Sequence, residues 1–279
     1  MELQECNESA NMKKKAIYKN LITKISDGWI TIYFNRPESR NALSSELVIE
    51  LSSLLDEIAK DDKYRGITFR GKGGIFCAGG DLKGFKSIVE NNDTDAETIK
   101  SSSRLAGKLF ERINTMPQVV LMFVEGAAIA GGLGIVCSGD IVVVTEDSKF
   151  SLTETTLGIT PAQIAPFIVQ RLGLNTARKL MLTAASFTGK HALKNGLADH
   201  VVSNKLEFNK IELEIQGQVK RCAPKANAIT KDLVLKASKL DKDQMIELAS
   251  EAFTQCILSD EGREGINAFL KKEKPKWAK

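Results

Sequence analysis

Three short stretches of this chain decide its fold and its chemistry: Ile75-Phe-Cys-Ala-Gly-Gly-Asp-Leu-Lys83, Ala130-Gly-Gly-Leu-Gly134 and Phe150-Ser-Leu-Thr-Glu-Thr-Thr-Leu-Gly158. The first two predict glycine-containing turns. Two turns that each expose a backbone N–H can converge on one carbonyl oxygen. The third stretch carries Glu154, whose carboxylate can move a proton beside that carbonyl. Together they indicate chemistry that passes through an enolate.

Strand and helix patterns alternate around these turns. Leu21 to Ile25 and Trp29 to Phe34 alternate apolar and polar residues around Ser26-Asp27-Gly28, which predicts a β-hairpin. Ser44 or Ser45 can cap a helix whose leucines and isoleucine recur at helical spacing. Further strands are predicted over 66–70, 119–124 and 141–145, and helices over 105–113, 132–137, 161–172, 177–183 and 191–196.

Composition is that of a water-soluble globular protein. With 279 residues, 43% of them hydrophobic, the chain can bury a sizeable core. The longest apolar run, Val119 to Val124, is far below the roughly 20 residues that a bilayer span needs. The net charge is only +4, and no basic stripe is interleaved with aromatic residues, which argues against nucleic-acid binding.

The cysteines and the N-terminus indicate a reducing compartment. Five cysteines in no metal-ligand spacing argue against both a disulfide framework and a zinc site. Glu2, Glu5 and Glu8 stand near the N-terminus without an apolar core segment, so neither a secretory signal nor a transit peptide is expected. We therefore expect a cytoplasmic protein.

Five landmarks follow one another along the chain. They are Asn35-Arg-Pro-Glu-Ser-Arg-Asn-Ala-Leu43, the Ala78 to Lys83 turn, Gly131-Gly132 before Asp140, Glu154, and Ser259-Asp-Glu-Gly-Arg-Glu-Gly265. In this order they resemble the crotonase family of enoyl-CoA hydratases and isomerases, and the resemblance runs from about Ile17 to Trp277. It implies an α/β fold built as a spiral of ββα repeats. The family's C-terminal helices pack against a neighbouring subunit in a trimer or dimer of trimers.

The resemblance also implies a division of the chain. Residues 1–16 are expected to be a disordered extension, 17–205 the crotonase-like spiral core, and 206–279 a C-terminal helical region for oligomerisation. From about Leu206 the residue pattern is itself helical, with no convincing strand.

Matching positions carry the family's functional residues onto this chain. Gly80 and Gly131 would supply the two oxyanion-hole N–H groups, and Ala78 and Lys83 would contact CoA. Glu154 would be the glutamate that handles protons. Each glycine turn has a plain structural alternative, a tight connection or close helix–strand packing, and the two readings are compatible. The second turn lacks the spacing of a dinucleotide fingerprint.

The chain departs from the family's two-glutamate hydratases at Gly134. Those enzymes carry there a second catalytic glutamate, which acts with the first on the incoming water. One-carboxylate members include enoyl-CoA isomerases, which the segment Thr153 to Gly158 resembles, and hydratases of branched glutaconyl-type thioesters, which Pro161 to Pro166 resembles. Gln163, just after the Glu154 segment, is a possible water-orienting residue. The resemblance implies a 2-enoyl-CoA hydratase of a branched or carboxylated substrate; the alternatives are a Δ3,Δ2-enoyl-CoA isomerase and a non-catalytic acyl-CoA binding protein.

Other polar residues receive smaller roles. Lysines crowd both ends of the chain, where they form either a solvated tail or a contact with phosphate. In the family, basic C-terminal residues contact CoA phosphates, and we expect this of Lys272 and Lys276. Asp140, His191 and His200 are interpreted as structural or surface residues. No metal or redox cofactor is expected, since CoA is part of the acyl-CoA substrate.

Overall fold

The structure, a computed structural model, describes residues 18–81, 84, 86, 90 and 95–278. The predicted N-terminal extension, residues 1–16, lies outside the described residues, and so does Lys83. The strands are β1 (Leu21–Ser26), β2 (Trp29–Phe34), β3 (Gly66–Gly71), β4 (Val119–Val124), β5 (Ala127–Ile129), β6 (Ile141–Thr145), β7 (Lys149–Ser151), β8 (Phe187–Thr188) and β9 (His200–Val202). The helices are α1 (Ser45–Ala59), α2 (Ala96–Asn114), α3 (Gly131–Cys137), α4 (Ala165–Thr183), α5 (Gly189–Ala192), α6 (Lys205–Lys220), α7 (Pro224–Lys236), α8 (Lys242–Leu258) and α9 (Asp260–Leu270).

A six-stranded sheet in the order β1-β2-β3-β4-β6-β9 forms the centre of the fold. The predicted hairpin is present, because β1 pairs antiparallel with β2 and Leu21 lies opposite Phe34. All the other neighbours in this sheet run parallel. The connections that follow β3, β4 and β6 therefore all leave from the same edge, the carboxyl end, where open parallel sheets place their binding sites.

A second sheet, β5-β7-β8, is not predicted by the sequence pattern. Its strands have two or three residues each, too few to show an alternation. Ala128 pairs with Phe150, which in turn pairs with Phe187. This small sheet matters because β5 leads directly into the second glycine turn and β7 leads to Glu154.

The core lies between the main sheet and the helices on its face. Of the two predicted caps, Ser44 is the one used, and its hydroxyl accepts the N–H of Leu47 at 3.3 Å. Helix α1 then buries an apolar stripe that includes Leu51 and Leu55 against the sheet. Burial of such a stripe is what holds a helix of this length in place.

The chain ends in helices, as the pattern beyond Leu206 predicts. The last strand stops at Val202, and α6 to α9 follow within the described residues. The two helices predicted over 161–172 and 177–183 are one element, α4, which begins at Ala165 and is interrupted at Gly173, where φ is 72°. The helix predicted over 191–196 is instead the short α5 followed by turns. Among the described residues no helix combines the length and apolar character that crossing a bilayer requires.

Candidate active site

The first glycine turn is held against the segment that follows β4. Phe76 donates its backbone N–H to the carbonyl of Glu125 at 3.0 Å, and Ile129 donates to the carbonyl of Cys77 at 3.0 Å. Cys77 thus forms a parallel bridge with Ala128 of β5. The first turn is therefore joined by backbone hydrogen bonds to the strand that leads into the second turn.

Asn41 holds the same turn from the other side. It is fully buried, and its side-chain amide donates to the carbonyls of Lys72 at 2.9 Å and Ile75 at 2.6 Å. The N–H of Ala78 donates to the carbonyl of Arg40 at 3.0 Å. The landmark that contains Asn41 therefore shapes the turn, and the backbone of Ala78 is fixed where the resemblance expects a CoA contact.

Leu43 pairs with this turn in a way that leaves one N–H unused. Its own N–H donates to the carbonyl of Gly79 at 2.8 Å, and its carbonyl accepts the N–H of Asp81 at 3.2 Å. No hydrogen bond between described residues uses the N–H of Gly80, which lies between these two bonds. Asp81 is also ion-paired with Arg36 at 3.1 Å, so its charge stabilises the turn.

The second glycine turn meets the first through a strained residue. Ala130 has φ 51° and ψ −122°, a backbone conformation that side-chain-bearing residues rarely adopt. Gly131 follows as the first residue of α3, so its N–H has no partner within the helix. A Cβ at Gly131 would lie 4.0 Å from the nitrogen of Gly80, and one at Gly79 would lie 3.6 Å from the nitrogen of Gly131. The unused N–H groups of the two turns are therefore close neighbours.

Glu154 follows strand β7 of the small sheet, which is bonded to the second glycine turn. The N–H of Ala130 donates to the carbonyl of Ser151 at 2.8 Å, and Glu154 follows three residues later in a short 3-10 helix. Its side chain is half-buried, and within the described part of the chain its buried Oε2 has no hydrogen-bond partner. Burial raises the pKa of the Glu154 carboxyl, against a smaller lowering from its own backbone N–H.

The space beside Gly134 is filled by apolar side chains. Gly134 lies one helical turn after Gly131, and a Cβ added there would be 2.2 Å from Cγ2 of Ile164 and 3.4 Å from Cε1 of Phe110. No side chain can stand at this position unless Ile164 moves. The space in which a side chain at position 134 of α3 could partner Glu154 is therefore occupied by the apolar side chains of Ile164 and Phe110.

Comparison with known proteins identifies the family of this chain. The family model described as enoyl-CoA hydratase/isomerase matches residues 24–279. The chain belongs to this family, the crotonase family. A Bacillus subtilis (strain 168) protein named probable enoyl-CoA hydratase is 30% identical over 262 residues, 92% of this chain and 98% of that protein. The peroxisomal Delta(3,5)-Delta(2,4)-dienoyl-CoA isomerase of Arabidopsis thaliana is 29% identical over 275 residues, 94% of this chain and 98% of that protein.

A solved structure shows the same fold. Pseudomonas aeruginosa AtuE superposes with a TM-score of 0.90 at 39% sequence identity, over 94% of this chain and 100% of that one. The crotonase-like fold predicted from the sequence is confirmed. This member of the family is an enzyme of the enoyl-CoA hydratase/isomerase type that acts on acyl-CoA thioesters.

Gln163 makes its contacts with α2. Its side-chain amide donates to the hydroxyl of Ser103 at 3.0 Å. Its Oε1 lies so close to the backbone of Gly107 that a Cβ there would be 2.2 Å away. Whether Gln163 orients a water molecule stays a prediction.

The last residues of the described chain lie near the amino end of the sheet. Lys276 is ion-paired with Glu264 at 3.1 Å, and the carbonyl of Trp277 accepts a hydrogen bond from Arg65 at 3.3 Å. Arg65 directly precedes β3, whereas the first glycine turn follows its end, and a six-residue strand is about 20 Å long. Lys276 therefore lies about one strand length from the first glycine turn, and the contact of Lys272 and Lys276 with CoA stays a prediction.

The residues interpreted as structural have structural partners. The carboxylate of Asp140 accepts the N–H of Val120 at 2.7 Å and pairs with Lys231. Exposed His191 lies 3.2 Å from the hydroxyl of Thr188. The described residues contain no group of three or more histidine, cysteine or acidic side chains placed to hold a metal ion.

Sequence reasoning missed the residues that line the site. Ile164 and Phe110 pack at Gly134, Leu43 lies 3.2 Å from a Cβ position at Gly131, and Ala130 carries the backbone strain. Phe110 belongs to the apolar stripe of α2 and could have been read as core. Nothing in the sequence marks Ala130 as strained, since alanine is not a residue that favours positive φ.

Proposed function

We propose that this enzyme adds water to a 2-enoyl-CoA thioester, with a branched or carboxylated acyl group, through an oxyanion-stabilised enolate. One observation carries the proposal. A half-buried carboxylate, Glu154, has an unpartnered oxygen and lies three residues after Ser151, whose carbonyl is bonded to the second glycine turn; the N–H groups of Gly80 and Gly131 are also unused among the described residues. Buried polar groups are normally satisfied, and those that are not are found preferentially where chemistry occurs.

In this mechanism the N–H groups of Gly80 and Gly131 donate to the thioester oxygen. Their hydrogen bonds strengthen as negative charge moves onto that oxygen, and each such donor contributes roughly 3 to 4 kcal/mol of transition-state stabilisation in comparable sites. The strain at Ala130 supports this assignment, because it turns the backbone so that α3 begins at the site.

Glu154 would handle both proton transfers. Its ionised carboxylate accepts a proton from water as the water oxygen bonds to the β-carbon. The π electrons of the double bond move toward the α-carbon and the thioester oxygen. The same carboxyl then returns its proton to the α-carbon, which completes hydration without another acid. A pKa raised by burial brings the carboxyl nearer to the operating pH, where a general acid–base is most effective.

The packing at Gly134 also favours a second candidate, a Δ3,Δ2-enoyl-CoA isomerase. Because Ile164 occupies the space beside Gly134, Glu154 has no carboxylate partner on α3. A single carboxylate is sufficient to remove a proton from the α-carbon of a 3-enoyl thioester and to return it to the γ-carbon. The oxyanion donors would serve both reactions equally.

Assay of crotonyl-CoA, 3-methylglutaconyl-CoA and a 3-enoyl-CoA side by side tests the proposal. We expect the 3-hydroxyacyl-CoA product from both 2-enoyl substrates, identified by its added mass of water, and a higher kcat/KM for the carboxylated one. Conversion of the 3-enoyl substrate to the conjugated isomer without any hydrated product would instead establish the isomerase. Equal or faster hydration of crotonyl-CoA would remove the carboxylated acyl group from the proposal.

We further propose that the enzyme works as a trimer or dimer of trimers. Large apolar side chains are exposed on α8 and α9, among them Phe253 at 67% and Phe269 at 82%. Such a patch favours a protein partner, and a second copy would also bring Lys272 and Lys276 to a neighbouring site. Sedimentation measures the number of subunits in the assembly.

The role of the two lysines has a separate test. Replacement of both lysines by glutamine should raise KM for CoA thioesters at low salt and leave kcat unchanged. An unchanged KM would mean that the two lysines belong only to a solvated tail.

A further inference from the structure

One face of α2 runs along the candidate active site. Ser103, Gly107 and Phe110 are spaced by four and three residues, so they lie above one another on this helix. Phe110 at the end of the row lies 4.0 Å from a Cβ position at Gly131 and 3.4 Å from one at Gly134. The whole row therefore belongs to the face that is turned toward the oxyanion donors.

The dipeptide Gln163-Ile164 packs against two glycines, and each of its side chains fills the space that a side chain at one of these glycines would occupy. Ile164 occupies the recess at Gly134 on α3, and Gln163 lies over the recess at Gly107 on α2. The apolar member of the pair thus faces the reacting centre. The polar member is displaced along α2, away from Phe110 and toward Ser103.

The contact between Ser103 and Gln163 leaves hydrogen-bonding capacity unused. The Ser103 oxygen accepts one N–H of Gln163 at 3.0 Å, so the serine keeps its O–H donor and the glutamine keeps a second N–H. Both residues are only partly buried, which leaves these donors accessible. Two neighbouring donors of this kind suit a carboxylate, whose oxygens only accept.

Charge and distance favour an anionic group at this position. Helix α2 carries four basic residues against two acidic ones, and Asp56 of α1 pairs with Arg112, so the net charge around the helix is still positive and favours an anion. Gln163 lies over Gly107, which is three residues, or about 4.5 Å along the helix axis, from Phe110. A short acyl chain that binds the oxyanion donors at one end can reach the pair with a carboxylate at its other end.

We propose that Ser103 and Gln163 form the subsite that recognises a carboxylate at the distal end of the acyl group. This inference rests on the proposed function, since it takes the thioester carbonyl to lie at Gly80 and Gly131. It makes Gln163 a specificity-determining residue, and it explains why this side chain is held against α2.

Binding of two unreactive thioesters tests the subsite without turnover. Glutaryl-CoA carries the distal carboxylate and butyryl-CoA lacks it, and calorimetry gives the ratio of their dissociation constants. We expect wild type to prefer glutaryl-CoA by about tenfold to a hundredfold, as charged hydrogen bonds allow. Gln163→Met and Ser103→Ala should each lose most of this preference and keep the affinity for butyryl-CoA. Gln163→Glu should bind glutaryl-CoA worst, because it places a like charge in the subsite.

A matched control is available between α4 and α2. Gln170 of α4 bonds to Asn114 of α2 at 3.2 Å, at the other end of the helix from Ser103. Gln170→Met should keep the wild-type preference. Equal affinity of wild type for the two thioesters, or an unchanged preference in Gln163→Met and Gln163→Glu, would overturn the subsite while leaving the hydratase proposal intact. Failure of wild type to bind either thioester would instead contradict the proposed function.

Discussion

The two ends of the parallel sheet differ in how they hold buried charge. At the amino end, Lys231 is only 11% exposed, but it pairs with Asp140 and donates to the carbonyl of Gln118 at 2.7 Å. At the carboxyl end, Glu154 keeps a buried oxygen without a partner among the described residues. Burial alone lowers the pKa of Lys231 and raises that of Glu154, yet only the lysine has an opposite charge that offsets the effect.

Other contacts at the amino end follow the same rule. Arg171 pairs with Asp199 and donates to the carbonyl of Leu197 at 2.9 Å, and Arg65 donates to carbonyls of the C-terminal region. These interactions hold the helices in place. The difference between the two ends teaches that a paired buried charge is compatible with a stable fold, whereas an unpaired one costs stability, as expected of a residue that is kept for a function.

The largest effect is expected at the unpaired charge. Glu154→Gln keeps the size of the side chain but cannot exchange a proton, so turnover should fall by about 10² to 10⁴-fold. Affinity for a CoA thioester should stay within a few fold. Glu146→Gln is the matched control, because Glu146 is an exposed glutamate that pairs with Lys190 at 3.7 Å. Turnover near wild type in Glu154→Gln would refute the assignment.

A second variant tests the neighbouring backbone donor. Gly131→Pro removes the N–H at the first position of α3, where proline is tolerated, and kcat should fall by about 10² to 10³-fold. Gly131→Ala retains the N–H, and the one tight contact of its Cβ is with the tip of Leu43 at 3.2 Å, while Gly80 N and Phe110 lie at an ordinary 4.0 Å, so it should keep most activity. Circular dichroism confirms that both variants are folded. Equal kcat in the two would show that the N–H of Gly131 is not a donor to the substrate.

At the amino end the expected effect is on stability and not on chemistry. Asp140→Asn leaves the charge of Lys231 buried and uncompensated, which should lower the free energy of unfolding by about 3 kcal/mol. Adding Lys231→Met removes the stranded charge and should recover most of the loss. Urea unfolding measures both, and kcat of the folded variants should be unchanged. A loss of kcat in Asp140→Asn would mean that the two ends are coupled.

The sequence predicted well the parts of the fold whose residue pattern is local. The hairpin, β4, β6, the cap at Ser44 and the helical end follow from alternation, spacing and capping. The β5-β7-β8 sheet could not be predicted, because its strands of two or three residues acquire their pairing only from the tertiary fold.

For the site, the sequence located the elements but not their surroundings. Glu154 and the glycine turns could be placed from motifs. The packing of Ile164 into the recess at Gly134 could not, because it joins residues 30 positions apart through contacts that no periodicity encodes. The same holds for Gln163, whose bond to Ser103 links the turn before α4 to helix α2. The roles of the site residues stay predictions.

The most direct test of the unpaired charge is the stability of Glu154→Gln relative to wild type as a function of pH. Because burial raises the folded-state pKa of Glu154 above the unfolded value of about 4.3, the two proteins should differ least below that value. As the pH rises through the raised pKa, wild type should lose stability relative to Glu154→Gln, so that the inactive variant is the more stable protein at pH 7. If Glu154→Gln is instead less stable at pH 7, with a difference that disappears as the pH falls below about 4, the ionised carboxylate is stabilised by partners and the account is wrong.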